Sequence, residues 1–326
     1  MSNFWQKLKQ PIIALAPMEG ITDSAMRQMA ISQGADLVYT EFISSDALFY
    51  NARTALSKMD YDKNEQPIIC QIFGHDLESF EKAAQIIEQK GFAGIDINLG
   101  CPARKVVNHG SGVALLRNPE YARQLVQAVL ENTQLPVSIK VRSSIRKEAK
   151  EVAPGCPDRY TALDLVKAIS DLPVSAIMIH GRSFESGFDG QIDVDMIKQV
   201  KKEFKGIVLA NGGVFTPEQA QEMLKQTGAD GLGIGRGIKG KPWLIKQIKH
   251  LLTAGKYEQP NWPEIRKLII DHARLAEKTK GQRGLLELRK HYAWYIKGIK
   301  GAAELRAQLV RVETVDQLQK VLPLEV

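Results

Sequence analysis

The sequence predicts an α/β chain, a closed barrel of eight parallel strands with an all-helical domain after it. Three observations lead there. Eight short apolar runs recur along the first three quarters of the chain, segments of helical period lie between most of them, and the last quarter holds helical pattern without a strand candidate. The runs cover residues 12–17, 37–42, 67–74, 94–98, 136–142, 176–181, 206–213 and 231–237. Several are almost continuously apolar, as strands covered on both faces are. Helical period marks residues 77–89, 119–131, 161–169 and 217–226. At the last of these, Thr216 is expected to cap the helix, Pro217 to occupy its first position and Gln219 to close a capping box. Eight such units in about 240 residues fit a TIM (β/α)8 barrel better than an open doubly wound sheet.

After Trp243 the pattern changes. Residues 253–260 read as a linker, and 263–278, 285–297, 302–311 and 315–321 as helices. The expected division is a barrel domain over 1–245 and a helical domain over 255–326.

Composition narrows the function classes. The chain has 326 residues, 44% hydrophobic and 25% charged, the balance of a globular protein. No apolar run approaches the ~20 residues that span a bilayer, and the start Met1-Ser2-Asn3-Phe4-Trp5 carries no signal-peptide core. Three cysteines without a Cys-x-x-Cys spacing point to a reduced, cytoplasmic compartment and to no metal site. No obligate protein partner is implied, and a monomer is expected. The net charge of +7 is unevenly placed: residues 1–240 hold 27 Lys and Arg against 28 Asp and Glu, whereas residues 241–326 hold 17 against 9, a net of +8. A near-neutral body joined to a basic module suggests a polyanionic partner, although a lysine-rich solvated face gives the same count.

The chemistry is expected where the strands end, because a barrel gathers the carboxyl ends of all its strands on one face. The fourth run passes into Asn98-Leu99-Gly100-Cys101-Pro102. Gly100 and Pro102 force a turn there, presenting Asn98 and the Cys101 thiol, which in such a place serves as nucleophile, ligand or proton donor. The first run ends in Ala16-Pro17-Met18, and the third carries Gln71. The fifth delivers Lys140 and Arg142, the sixth His180 and Arg182, the seventh Asn211-Gly212-Gly213 and the eighth Gly235-Arg236-Gly237. Paired glycine-rich ends after the last two strands are the usual phosphate site of a barrel. Lys140 interrupts an apolar strand and needs an anionic or polar partner. Polar groups at Gln71, Asn98, Lys140 and His180 favour a planar, heteroatom-rich ligand such as a flavin, with Gln71 at its pyrimidine edge and Lys140 offsetting negative charge near N1 and C2=O. Cys70 is expected in packing, and Cys156, in the second Gly-Cys-Pro at 155–157, to be structural or incidental.

These residues together resemble the tRNA-dihydrouridine synthase family over nearly the whole chain. The resemblance rests on Ala16-Pro17-Met18-Glu19-Gly20-Ile21-Thr22-Asp23, Thr40-Glu41-Phe42, Gln71-Ile72-Phe73-Gly74 and Asp96-Ile97-Asn98-Leu99-Gly100-Cys101-Pro102. It extends to Gly110-Ser111-Gly112, Lys140-Val141-Arg142, His180-Gly181-Arg182, Asn211-Gly212-Gly213 and Gly235-Arg236-Gly237, and to Arg289-Lys290-His291, Trp294-Tyr295 and Leu305-Arg306 in the helical domain. It implies FMN as cofactor, NADPH as reductant and uridine in tRNA as substrate, reduced at its C5–C6 double bond with Cys101 as general acid. By the same resemblance Pro17, Met18, Gln71, Lys140, His180, Asn211, Gly212, Gly213, Gly235 and Arg236 fall to the cofactor, and Asn98, Arg142 and Arg182 to the uracil. Basic residues expected to meet tRNA are Arg104 and Lys105 at the barrel mouth and Lys280, Arg283, Arg289, Lys290, Lys297 and Arg306 in the helical domain. The sequence departs from the family pattern in Ser183-Phe184-Glu185-Ser186-Gly187-Phe188, where Gln and Tyr are common, and in a long charged loop over 143–159. Two other readings remain open: an FMN barrel reducing a free pyrimidine, like a dihydroorotate dehydrogenase, and a non-catalytic RNA-binding barrel. The first leaves the basic tail unexplained, the second the Cys101, Lys140 and His180 set.

Overall fold

The computed structural model describes residues 3–147 and 158–325. Its centre is a closed barrel of eight parallel strands: β1 (Ile12–Leu15), β2 (Leu37–Tyr39), β3 (Ile68–Phe73), β4 (Gly94–Leu99), β5 (Val137–Arg142), β6 (Ala176–His180), β7 (Ile207–Asn211) and β8 (Gly231–Ile234). The ring closes where β1 pairs with β8 and β2 with β3, the latter through Val38↔Ile68 and Tyr39↔Ile69. Helices α1 (Ser24–Ser32), α2 (Leu77–Gln89), α3 (Pro119–Glu131), α4 (Ala162–Ala168), α5 (Val194–Glu203), α6 (Pro217–Thr227) and α7 (Leu244–Ala254) surround it. Between β2 and β3 two five-residue helices, Ser45–Phe49 and Arg53–Ser57, replace one long one. A small antiparallel pair, Ser144–Arg146 with Arg159–Thr161, follows β5. The second Gly-Cys-Pro, with Cys156, lies outside the described residues.

Strand alternation divides the barrel into two cores. Ile13, Leu15, Val38, Cys70, Ile97, Ile139 and Ile179 face outward and pack under the helices. Ile12, Ala14, Ala16, Leu37, Tyr39, Ile69, Ala176, Met178 and Leu209 form a separate interior cluster with Trp5 of the N-terminal turn. Side chains two apart share a face. The interior positions of β3, β4 and β5 are therefore Gln71, Asp96, Asn98, Ser138, Lys140 and Arg142. The polar residues that alternate with apolar ones along β4 and β5 thus face the barrel axis.

The helices begin on side-chain caps: Asp76, Asn118, Thr161, Asp193 and Thr216 each accept a first-turn amide. Thr216 caps α6 as expected, but the capping box does not form. Gln219 Oε1 accepts instead from the Phe215 amide at 2.8 Å, one residue earlier, which ties the rim after β7 to the helix. The strands at 37–42 and 231–237 also stop short of their expected ends, at Tyr39 and Ile234, and after the first of them Ile43–Ser44 rejoin the sheet beside β3.

α8 (Trp262–Lys280), α9 (Gln282–Tyr295), α10 (Ala302–Leu309) and α11 (Val315–Val321) make the helical domain, with its own core of Ile269, Ala273, Leu285, Leu288, Tyr292 and Leu318. A capping box of Asn261 and Glu264 starts α8. Gly284 lets α9 close on α8: a Cβ there would meet the Ala276 carbonyl at 2.1 Å. The expected boundary at 245 cuts through α7. That helix is barrel, since Leu244, Ile245 and Ile248 belong to the barrel's outer core and the chain turns away only at Gly255 (φ +70°).

Candidate active site

One cleft opens at the carboxyl ends of the strands. Pro17, Met18, Lys140, His180 and Arg182 line one part of it, and Asn211, Gly212, Gly213, Gly235 and Arg236 the rest. Of the residues assigned to a cofactor from the sequence, all but Gln71 face this one space. Its glycines are there for clearance. Gly212 has φ +103°, and a Cβ on it would lie 2.6 Å from the His180 ring. Gly213 (φ +73°) is similarly closed by Ile192, whereas an added Cβ on Gly235 would touch only Asn211 and Met18, at 3.8 Å. Backbone therefore forms one wall. Asn211 donates to the Gly233 carbonyl at 2.7 Å, which fixes its side chain across β7 and β8.

Positive charge collects around the cleft. Burial and the nearby Arg142 push the Lys140 ammonium down to about 8, while buried Asp96 pulls it the other way. Lys140 forms no salt bridge among the described residues. Burial and the surrounding cations push His180 down to about 2, so its imidazole is neutral and acts as a hydrogen-bonding group. Arg142 and Arg182 are both buried. Arg142 donates to the carbonyls of Gly100 (3.0 Å), Ser183 (2.8 Å) and Gly187 (2.9 Å), bracing the Cys101 turn and the loop after β6. Arg182 donates to the Gly190 carbonyl of the same loop. Arg236 donates to the Phe188 carbonyl at 2.6 Å and lies over the Phe188 ring at 4.8 Å, with Phe215 at 5.9 Å. Three arginines thus strap the 183–190 loop across the rim.

Cys101 stands beside the cleft, next to Lys140 through the Asn98↔Lys140 register of β4 and β5. Asn98 Oδ1 accepts from the amides of Gly100 (3.1 Å) and Cys101 (2.9 Å), which pins the turn. Burial raises the thiol above its usual range, although Lys140 and Arg142 pull it down. At neutral pH it keeps its proton. Cys70, by contrast, is buried outside the barrel under α-helices and pushed up to about 12.

Sequence reasoning missed Phe188 and Phe215, aromatic lids on Arg236, and Asp96 with Ser138, which lie on the interior face level with Gln71 and one layer beneath Asn98 and Lys140. The signal for Asp96 was present: a carboxylate inside an apolar strand. Of the residues expected to meet RNA, Arg104, Lys105, Lys297 and Arg306 are exposed and form no ion pair among the described residues. Lys280 is held by Asp23 (2.9 Å) and Glu287 (2.7 Å), and Arg283 by Glu287 (2.9 Å). Arg289 donates to the Val312 carbonyl at 3.1 Å, and Lys290 to the Gly20 carbonyl. Each of these four makes a contact within the fold, and Lys280, Arg283 and Lys290 remain exposed.

Residues 14–325 match the family model described as dihydrouridine synthase. The chain belongs to the dihydrouridine synthase family. It is 32% identical over 306 residues to the tRNA-dihydrouridine synthase B of Pseudomonas aeruginosa, covering 93% of this chain and 89% of that one. It is 35% identical over 297 residues to a probable tRNA-dihydrouridine synthase of Rickettsia conorii, covering 90% and 87%. Among solved structures, 6-hydroxypseudooxynicotine amine oxidase from Pseudomonas geniculata aligns with a TM-score of 0.56 and 12% identity over 82% of this chain and 52% of that one, a likeness of fold alone. The dihydrouridine synthase family is flavin-dependent in general. Among the described residues no helix is long and apolar enough to cross a membrane.

Proposed function

We propose that the protein is a tRNA-dihydrouridine synthase that reduces the C5–C6 double bond of uridines in tRNA, with FMN as bound cofactor, NADPH as reductant and Cys101 as general acid. The observation that carries this reading is the meeting, at one barrel mouth, of a thiol kept protonated by burial and a cradle of backbone glycines ringed by cations. The relatives that bear this name cover most of the chain.

The residues present fit a flavin mononucleotide. Gly212 and Gly213 let the backbone pack against His180 and Ile192, and Gly235, whose missing Cβ would meet only Asn211 and Met18 at 3.8 Å, leaves room for a flat group against the main chain. Lys140 and Arg236 supply the positive charge a phosphate and an electron-rich ring call for. A bound, reduced flavin supplies the hydride that C6 of uracil receives, and NADPH supplies the electrons that restore it. The protein must supply the matching proton. Cys101 Sγ–H gives it to C5, leaves a thiolate next to Lys140 and Arg142, and regains a proton from solvent. Neutral His180 orients polar edges without adding charge. Asn98, Arg142 and Arg182 stand on the uracil side, with Arg142 and Arg182 acting through the loop they strap.

The tRNA reading draws on the net charge of +8 over residues 241–326 and on the exposed Arg104, Lys105, Lys297 and Arg306. A uridine inside a folded tRNA must leave its stack to enter this cleft. The test is incubation of the purified protein with NADPH and tRNA that lacks dihydrouridine. The expected result is a yellow protein that releases FMN on denaturation and forms one dihydrouridine per NADPH oxidised. Reduction of free uracil or orotate with no need for RNA would overturn the tRNA assignment in favour of a free-pyrimidine enzyme. A colourless protein that binds tRNA would leave only the non-catalytic reading.

A further inference from the structure

The interior layer beneath the cleft holds a carboxylate that the chemistry above does not use. Asp96 is fully buried, and its two oxygens are both taken: Oδ1 accepts from Ser138 Oγ at 2.6 Å, and Oδ2 accepts from Gln71 Nε2 at 2.7 Å. The register places Gln71, Asp96 and Ser138 side by side on β3, β4 and β5. Gln71 Oε1 in turn accepts from Asn98 Nδ2 at 3.0 Å, and Asn98 Oδ1 accepts the amides of Gly100 and Cys101.

The direction of this chain of bonds is fixed from both ends. Burial pushes Asp96 up to about 6, while the Ser138 and Gln71 hydrogen bonds pull it down, so at neutral pH it is ionised; an ionised carboxylate only accepts, and a backbone amide only donates. Gln71 must therefore turn its NH2 to Asp96 and its oxygen to Asn98. Asn98 must turn its NH2 to Gln71 and its oxygen to the turn. Neither amide can flip without setting two donors or two acceptors face to face in a buried layer, and such mismatches are costly where no water can repair them. The sequence spacing makes this possible: Asp96 and Asn98 are two residues apart on one strand, hence on one face, and Cys101 follows three residues later at the turn.

We propose that Asp96 is a positioning residue for the reaction, which acts through Gln71 and Asn98 to hold the turn that carries Cys101. The inference rests on the reading of Cys101 as the proton donor to uracil C5. Remove the carboxylate and Gln71 Nε2 is left buried without an acceptor. The side chain must swing to find one, Asn98 loses its partner, and the Cys101 turn is held at one end only. Asp96→Asn behaves differently. Its amide oxygen still accepts from Gln71, while its NH2 faces a Ser138 hydroxyl that can rotate to accept.

The experiment compares Asp96→Leu and Asp96→Asn in the full-length protein. Each is made in a Cys156→Ser background, so that Cys101 is the accessible thiol and Cys70 stays buried. The first readout is single-turnover reduction of tRNA by pre-reduced enzyme, with the rate separated from tRNA affinity. Asp96→Leu should lower the rate on the order of 10²-fold, as small displacements of a reacting group do, and leave tRNA affinity within about two-fold. Asp96→Asn should recover most of the rate. The second readout, independent of turnover, is alkylation of Cys101 by iodoacetamide, which follows the thiolate fraction and its accessibility; both variants remove the charge of Asp96, so the difference between them reports the turn. Alkylation should speed up by about three-fold or more in Asp96→Leu and stay near the parent in Asp96→Asn. If Asp96→Leu fails to fold, Asp96→Ser takes its place, since a hydroxyl that both donates and accepts no longer dictates the direction of Gln71. Equal losses in the Leu and Asn variants would overturn the proposal, because they would assign the effect to the charge of Asp96 rather than to its hydrogen bonds. Unchanged alkylation and rate in the Leu or Ser variant would overturn it as well. A parent enzyme inactive on tRNA would refute the functional reading, while the alkylation arm would still decide whether Asp96 holds the turn.

Discussion

Cys70 lies on β3 and Cys101 in the turn that follows the neighbouring β4, and their surroundings give them opposite chemistry. Cys70 points outward into the layer under the helices, where burial pushes it to about 12 and no solute reaches it. Cys101 is half-buried at the mouth, raised by burial but drawn back by Lys140 and Arg142, so it holds a proton that cationic neighbours help it release. Cys101→Ala should keep the fold, the flavin and NADPH oxidation, yet lose tRNA reduction on the order of 10²-fold or more, as the loss of a general acid does. Cys156→Ala should match the parent in the same assay of dihydrouridine formation, and the reverse ranking of the two variants would discard Cys101 as the acid. Lys140 is the second residue whose position decides its role. A cation in the barrel interior without a salt bridge is costly, and an anionic ligand relieves that cost. Lys140→Met should therefore bind FMN more weakly and slow its reduction by NADPH, measured by flavin absorbance after equilibrium dialysis and by stopped flow. Full occupancy with an unchanged reduction rate would remove Lys140 from the flavin site.

The element that most repays attention is the α8–α9 hairpin. Its core carries two histidines in edge-to-face contact, His272 and His291, with ring centroids 5.0 Å apart. His272 Nδ1 pairs with the Tyr295 hydroxyl at 3.1 Å, whereas His291 Nδ1 is buried with no hydrogen-bond partner among the described residues. Burial pushes His272 down to about 4 and His291 to about 2. Both are neutral in the folded hairpin, while in an unfolded chain each takes up a proton near pH ~6.5. The stability they permit is complete above that pH. It is lost as pH falls below it, because the unfolded state binds protons the folded state refuses. Thermal melting followed from about pH 7 to about pH 5 should show a falling midpoint, and His291→Phe should flatten that fall. The same variant should stabilise by on the order of 1 kcal/mol at neutral pH, since it removes an unsatisfied buried nitrogen and keeps a ring between His272 and Trp294. A steeper acid dependence in His291→Phe would contradict this account.

At the scale of the whole molecule, the helical domain rests on the barrel through a mixed seam. Ala25 of α1 and Trp243 before α7 belong to the helical domain's core. Lys278–Asp62 (3.0 Å) and Lys280–Asp23 (2.9 Å) bridge the two parts at the surface, and such exposed pairs add little by themselves. The apolar contact therefore carries the docking, and the charges left over are available to a polyanion. A chain cut after Gly255, not at 245, leaves α7 whole and should retain FMN. Its tRNA affinity should be lower, and the dependence of that affinity on salt shallower, because fewer phosphate contacts release fewer counterions. Titration with tRNA at two salt concentrations checks this. Equal affinity and equal salt slope in the full and shortened chains would reduce the basic domain to a solvated appendage.

Much of this was written locally. The eight apolar runs, the cap at Thr216, the Gly-Cys-Pro turn and the concentration of positive charge after residue 240 follow from side-chain period, backbone freedom and composition, which neighbours in sequence decide. Cys101, Lys140, His180 and the glycine ends were legible because a polar or flexible residue at the end of an apolar run is conspicuous, and because a barrel brings such ends together. What only the tertiary structure decided is which side chains meet across strands. Asp96 became the anchor of Gln71 and Asn98 through the register of β3 to β5. Arg142, Arg182 and Arg236 were claimed by carbonyls of one loop, and Lys280 and Arg283 by carboxylates. Gln219 reached Phe215 rather than completing its box, and α7 joined the barrel across the expected boundary. The sequence determines what each residue can donate, accept or bury; the closing of the barrel determines which partner, from a distant part of the chain, is near enough to take it.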